Sequence, residues 1–338
     1  MRKYLLPPDG NWYKANLHAH STVSDGEMTP EEMKEAYKAH GYSVLAYTDH
    51  QIMVDHSYLA DDDFLPLIGW EFDTCEDKPW REHPLTTHIC FIALDNHNPR
   101  QHVANGRRYV EKAKDHLAHF CFDPEKVDVV HPYTTEHITS VMQKGREAGF
   151  FVTYNHPQWS METQAQYLNY HGMHAMEMCN WGCYEGGYED YNAIVYDDML
   201  RAGKKIYCIS ADDNHNHGTD KFHDSFGGFT MIRAEKLEYR TVTRALEAGD
   251  FYASTGPEIY ELYYEDDAIH IKCSPAQRIA LHGGVRISWA KHAKDGAPLT
   301  EAVFPLYGYD MKYVRLSVMD ERGRRADTNA YFTEDLKS

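Results

Sequence analysis

Two histidines separated by one residue, His18-Ala19-His20, are the first place in the chain where residue type and spacing suggest chemistry. On a strand, side chains alternate, so both imidazoles project from one face, and neutral imidazole is the commonest metal ligand. In a chain with 22 histidines the pair alone is equally well read as two solvent-facing residues. It gains meaning from residues further along the chain: Asp25 in an Asp-Gly turn, then His50, Glu71, His88, His156, Asp213 and His215. A turn aspartate ordinarily serves local hydrogen bonding. In this company it reads as a ligand, and the chemistry such a set supports is hydrolysis by divalent ions, which activate water against a polarised centre. Mixed imidazole and carboxylate donors suit zinc, manganese or iron, and affinity order alone does not choose among them.

The elements that must position these residues form a rhythm. Trp12 to Leu17 reads as a strand running into His18 and His20. Thr29-Pro30-Glu31-Glu32 supplies an N-cap, a proline at the first helical position and a carboxylate three residues after the cap, with Gly41 beyond, which predicts a helix over 30–40. Tyr42 to Tyr47 is a strand ending in Thr48-Asp49-His50, and Leu65 to Trp70 one ending in Glu71. Thr86 to Leu94 carries His88, Phe150 to Asn155 runs into His156, and Lys205 to Ala211 into Asp212 and Asp213. Helical patterns cover Thr135 to Ala148, Tyr191 to Gly203 and Glu238 to Gly249. Strand–helix–strand order makes parallel pairs, and in parallel α/β architectures sites form at strand C-termini. Residues 97–133 show no clear pattern.

The segments NLHAHSTVSDG at 16–26, YTDH at 47–50, Glu71, His88, NHP at 155–157 and DNH at 213–215 resemble, in order and spacing, the polymerase and histidinol phosphatase (PHP) family of metallohydrolases. The resemblance covers roughly residues 12–255. It implies an α/β fold, a distorted (β/α)7 barrel with two or three divalent ions at the strand C-termini. Carried onto this chain, it implies one ion on His18, His20, Glu71 and Asp213, with Glu71 bridging to a second that also takes His88 and His156. A third would use Asp25, His50 and His215. His156 departs from the pattern, standing where many relatives use cysteine. Asp212 beside Asp213 leaves two candidates for the last carboxylate; Asp213 is preferred because Asp-x-His would put it on one face with His215. His215 or Asp213 is the candidate for passing a proton to the leaving group.

For phosphate recognition a cation is expected, and Arg81, Arg107, Arg108 and Lys221 fall in loops or helix starts near the pocket side, Arg81 being taken as the substrate contact. Glu177, at the end of the strand in AMEMCNW, is a second substrate-contact candidate, with a supporting or merely hydrated carboxylate as its blander reading. His217 and His223 are left out of the metal set, and Trp159, Trp181, Tyr184 and Tyr188 read as packing more readily than as stacking surfaces.

Composition narrows the function classes. The 338 residues suit one catalytic domain, 1–257, plus a β-rich C-terminal domain, 258–338, with alternating segments at Ala268 to Cys273, Val285 to Trp289 and Lys312 to Val318. With 34 Lys and Arg against 52 Asp and Glu, the net charge of −18 disfavours long nucleic acids and favours a small phosphorylated substrate. Seven cysteines without disulfide-scaffold spacing point to a reducing cytoplasm, and no stretch reads as a signal peptide or a membrane span. The expectation is a phosphoesterase acting on a small metabolite or nucleotide. Its alternatives are a metal hydrolase of another bond and a noncatalytic metal-binding scaffold.

Overall fold

The computed structural model describes residues 2–97, 99–103, 108–124 and 129–336. In chain order its first part comprises β1 (Lys3–Tyr4), β2 (Asn11–Asn16), α1 (Pro30–Ala39), β3 (Val44–Tyr47), β4 (Leu65–Cys75), β5 (Thr86–Ala93), α2 (Thr135–Glu147) and β6 (Phe150–Tyr154). It continues with α3 (Gln164–Tyr167), β7 (Ala175–Asn180), α4 (Trp181–Glu185), α5 (Ala193–Arg201), β8 (Tyr207–Ala211), β9 (Phe229–Ala234), α6 (Tyr239–Ala248) and β10 (Phe251–Ser254). The C-terminal part is β11 (Ile259–Glu265), β12 (Ala268–Ala276), β13 (Arg278–Gly283), β14 (Ser288–His292), β15 (Leu299–Pro305), β16 (Tyr313–Met319), β17 (Arg325–Thr328), β18 (Tyr331–Phe332) and α7 (Thr333–Leu336).

Local chemistry explains the best-defined elements. At α1 the Thr29 hydroxyl accepts from Glu32 N and the Glu32 carboxylate accepts from Thr29 N, a complete capping box. At the end of α6, Gly249 takes φ 78°, the left-handed C-cap conformation that glycine reaches at no steric cost. The strands β3, β6 and β7 are buried at every position, so they read as continuous apolar runs and not as alternating ones.

The strand order β2-β3-β4-β5-β6-β7-β8 runs through one large mixed sheet. The pairs β2–β3, β3–β4, β6–β7 and β7–β8 are parallel, whereas β5 runs antiparallel to both β4 and β6. Regular strand–helix alternation is therefore broken at β5. The cause is visible in the chain: β4 ends at Cys75 and β5 begins at Thr86, a connection shorter than the dozen or so residues a parallel crossover takes. Past the last strand of this run, Ala19 and Asn214 form a parallel bridge, with Asp213 N donating to His18 O (2.9 Å) and His20 N to Asn214 O (3.1 Å). The two ends of the seven-strand run thus meet at the C-terminal ends of β2 and β8. Antiparallel β9 and β10 extend the sheet on the other side of β2.

The C-terminal segment is β-rich and joins this sheet directly, because β17 pairs with β10 and leads to β16, β13 and β14. A second, four-stranded sheet, β1-β11-β12-β15, includes the first strand of the chain, Lys3 pairing with Tyr264. Grouping residues 1–257 into one domain did not anticipate that pairing. A separate apolar core there contains Leu6 and Tyr252 beside Ile259, Ile271, Leu316 and Val318.

Candidate metal centre

Every one of the nine side chains singled out by the sequence lies at one mouth of the large sheet. Their positions follow from the strand ends. His18 and His20 continue the extended chain after β2, His50 follows β3, Glu71 sits within β4 and His88 on β5 nearly opposite. Glu71 is fully buried at the middle. Its Oε1 lies 3.1 Å from His18 Nε2, 3.2 Å from His88 Nδ1 and 3.5 Å from His156 Nε2. Its Oε2 lies 2.9 Å from His50 Nδ1 and 3.5 Å from His20 Nε2. Asp213 Oδ1 is 2.9 Å from His20 Nε2 and 3.1 Å from His18 Nε2. On the outer side, Asp25 stands 3.6 Å from His215 Nε2 and 3.7 Å from His50 Nε2. Overlapping groups of ligand atoms result: His18, His20 and Asp213; His50, Glu71 and His88; His20, Asp25, His50 and His215.

Whether these residues fit metal ions is tested by their unpaired atoms. His20 Nδ1, His50 Nδ1, Glu71 Oε2 and Asp213 Oδ1 are buried and reach no hydrogen bond of good geometry among the described residues, even where His50 Nδ1 and Glu71 Oε2 crowd to 2.9 Å, and His18 Nε2 faces His20 Nε2 at 3.1 Å. Buried polar atoms are normally satisfied, and two ring nitrogens aimed at each other share at most one proton. Cations placed among them would meet all of these atoms at once, so the donor set fits the group.

Electrostatics in the ion-free cluster point the same way. Burial, then the positive His215 and His50, pushes His20 down to about 3. Burial opposes protonation of His50, but Glu71 and Asp25 raise it to about 10; His156 rises to about 9 against burial because of Glu71 and Asp213. Burial would raise Glu71 and Asp213, yet the surrounding histidines hold both below the usual carboxylate range.

Supporting contacts orient the ligands. Glu177, expected as a substrate contact, is fully buried and does not line the cavity. It lies 2.7 Å from His18 Nδ1 and accepts from His156 N (2.9 Å) and Asn180 Nδ2 (3.0 Å). The alternation of β7 turns it toward the histidines, so it fixes ring orientation, as partners of metal-bound histidine do. Asn180 Nδ2 also donates to Asp213 Oδ2 (3.0 Å), and Asn155 Nδ2 to Glu71 Oε1 (3.0 Å) and Cys90 Sγ. Asn155, Cys90 and Tyr109, whose hydroxyl donates to Asp25 Oδ2 at 3.1 Å, were missed by sequence reasoning. Cys90 left a signal in its place two residues after His88 on one strand face, and Asn155 in its place within NHP at 155–157; Tyr109 left none.

The adjacent aspartates separate by burial partner. Asp212 accepts from Phe226 N, Gly227 N and Gly228 N and from the Tyr37 hydroxyl at 2.8–3.0 Å, and burial pushes it up to about 7. Asp213 is the one facing the histidines. Its nearness to His215 does not come from strand alternation, however: β8 ends at Ala211, and Asp213 adopts φ 54°, a left-handed turn uncommon for a non-glycine residue. Such strain is characteristic of functional sites.

Six of the nine, Asp25, His50, His88, His156, Asp213 and His215, line a cavity of about 660 Å3, with His18, His20 and Glu71 buried behind them and Trp80, Arg108, Tyr109, Trp159, His217 and His223 among its walls. Arg81, expected to contact substrate, is exposed and not on the cavity wall; it belongs to a short helical turn whose neighbour Trp80 takes that place. Lys221 is likewise absent from the wall, and Arg107 lies outside the described residues. Trp159 and Tyr188 line the cavity, whereas Trp181 packs against Tyr184 and Gly227.

No protein-family model and no curated protein matches the sequence. Among solved structures the fold is similar to a two-domain protein from Bacteroides vulgatus, described as containing a PHP-like metal-dependent phosphoesterase by prediction, at 14% identity and TM-score 0.46 over 97% of this chain and 98% of that one. A protein from Bifidobacterium adolescentis, provisionally described as a metal-dependent phosphoesterase, is similar at 14% identity and TM-score 0.38 over 64% and 91%. An amidohydrolase from Chromobacterium violaceum with bound sulfate and no metal follows at 18% and 0.37 over 70% and 96%. No helix among the described residues is long and apolar enough to cross a membrane.

Proposed function

We propose that the chain is a PHP-type, metal-dependent phosphoesterase that hydrolyses a small phosphorylated molecule. The observation that carries this reading is the set of buried, unpartnered ligand atoms on His20, His50, Glu71 and Asp213. His18, His20, Glu71 and Asp213 would hold one ion, Glu71 with His88 and His156 a second, and Asp25, His50 and His215 a third. Zinc, manganese or iron bound there would lower the pKa of water toward neutrality and offset negative charge on the reacting phosphoryl group. Glu71 is suited to bridging because its two oxygens face different histidines, and Asn155 fixes the rotation of its carboxylate. Both residues expected to move a proton, His215 and Asp213, line the cavity and both belong to the proposed ion ligands, His215 Nδ1 being also bonded to Asp213 O, so the proton step is assigned to neither.

The seven-strand run whose ends meet at Ala19 and Asn214 is, in this reading, the distorted (β/α)7 barrel, and residues 258–338 a β-rich domain fused to its edge. All seven cysteines are free, which supports placing the protein in the cytoplasm.

The test is metal analysis of protein purified without added metal, then a panel of phosphomonoesters and diesters on the wild type and His20→Ala. Bound divalent metal with chelator-sensitive turnover that His20→Ala abolishes is expected. Turnover indifferent to the substitution sinks the site, and carboxyl-ester hydrolysis without phosphate-ester hydrolysis replaces the reaction with another bond.

A further inference from the structure

Among the described residues, Arg108 is the one lysine or arginine side chain on the cavity wall. Four carboxylates, Asp25, Asp73, Asp213 and Asp224, share that wall. A guanidinium alone among acids needs something to hold it in place, and the structure supplies it through Tyr109.

Tyr109 is 5% exposed and anchored in a small apolar cluster with Val23, Ile52, Val54 and Ala113. Its ring lies nearly parallel to His50, at 6.1 Å between centroids and 14° between planes. Its hydroxyl donates to Asp25 Oδ2 at 3.1 Å. The Arg108 guanidinium carbon stands 4.8 Å from the centre of the same ring, within cation–π range. One tyrosine therefore touches two expected ion ligands and carries the arginine. Across the cluster the opposite flank is aromatic, Trp159 lying 5.1 Å from His88 and 5.0 Å from His156 between ring centroids.

We propose that Arg108 receives an anionic group of the substrate on the Asp25–His50 flank of the ion cluster, and that Tyr109 is the positioning residue holding both Arg108 and Asp25 in register. The assignment rests on the phosphoesterase reading for its choice of anion. A guanidinium offers a planar fork of donors that matches two oxygens of a phosphoryl or carboxylate group, which an ammonium does not. With its charge fixed at any working pH, Arg108 gives the cavity a polarity that the ligand histidines, committed to ions, do not provide.

The experiment uses the full chain loaded with manganese and inorganic phosphate as the probe. Calorimetry should show phosphate binding about 10-fold weaker in Arg108→Ala, the scale of one lost hydrogen bond to a charged group, with ion content unchanged and Arg108→Lys in between. On a hydrolysed phosphoester the same change should appear in KM with kcat little altered. Tyr109→Phe keeps the ring beneath Arg108 and loses the bond to Asp25, so it should lower retention of the ion at Asp25, whereas Tyr109→Ala should lower phosphate affinity as well. Equal phosphate affinity in wild type and Arg108→Ala overturns the assignment, as does an equal KM. If no phosphoester is turned over by the wild type but phosphate affinity still falls in Arg108→Ala, the phosphoesterase reading fails and the anion site stands.

Discussion

Two of the regions where this molecule buries charge handle it in opposite ways. At the junction with the C-terminal segment, Arg315 on β16 is 2% exposed. It donates from Nε to Asp197 Oδ1 (2.8 Å), from Nη2 to Asp197 Oδ2 (2.7 Å) and from Nη1 to Asp327 Oδ1 (3.1 Å). The hydroxyls of Tyr313 and Tyr191 complete Asp197 and Asp327 respectively. At the cavity floor, by contrast, ligand atoms of four residues find no hydrogen bond among the described residues. The junction is complete in itself, and the floor is complete only with a guest. Burial of charge is costly unless paired, so the first arrangement serves architecture and the second implies a cation.

That contrast is broken most severely by Glu71→Ala, which removes the carboxylate common to two of the ligand groups. Turnover should fall about 1,000-fold or more, the scale of losing an ion's contribution to the transition state. Thermal stability of the metal-free protein should also fall, because the histidines that hold Glu71 below the usual carboxylate range lose their counter-charge and Asn155 Nδ2 loses an acceptor. Turnover that survives the substitution would place Glu71, like Asp327, with the architecture alone.

Arg315→Ala is the complementary cut. Leaving Asp327 buried without its cation, and partly buried Asp197 with only Arg201 at 3.8 Å, should cost about 3 kcal/mol of unfolding free energy, read by denaturant titration. Ion content of the folded fraction should be unchanged. Loss of ions in parallel with stability would mean the two regions are one cooperative unit.

Much of this contrast was legible in the amino-acid sequence. Most of the nine ligand positions could be read because they sit at a strand end or in the turn after it, a local pattern in a chain whose strands are marked by apolar runs; Glu71 and His88 stand within β4 and β5. What could not be read depends on contacts distant in sequence. Glu177 looks like any strand carboxylate until the ends of the seven-strand run meet and its oxygen reaches His18, 159 residues away in the chain. Arg81 and Arg108 are equivalent on paper; the fold puts Arg108 on the cavity wall beside buried Tyr109 and leaves Arg81 off it. The reversal at β5 follows from a short connection, but the pairing of β1 with β11 rests on edge hydrogen bonds between strands far apart in the chain, which no periodicity encodes.

Glu177→Gln sharpens the comparison on a smaller scale. The amide keeps the shape but loses the charge beside His18 Nδ1, and partners of metal-bound histidines contribute about 10–100-fold in affinity or activity. Metal affinity should fall within that range with the fold intact, as read by competition with a chelator of known affinity. No change would place Glu177 with Asp327, as a carboxylate serving architecture alone.

The smallest effect belongs to Tyr37→Phe, which probes the boundary between the two kinds of burial. The Tyr37 hydroxyl stands 2.8 Å from both Asp212 Oδ2 and Asn214 Oδ1, so α1 touches the residues flanking Asp213 from outside the cavity. Asp212 keeps its backbone donors at Phe226, Gly227 and Gly228 when the hydroxyl is removed. The cost should therefore be that of one neutral donor, about 1 kcal/mol of stability. Because the turn carrying Asp213 is held by Asp213 N to His18 O and by Asn180, ion content should stay the same. If ions are lost with Tyr37→Phe, the strained backbone at Asp213 depends on α1, and the architectural shell extends one layer further toward the floor than its hydrogen bonds indicate.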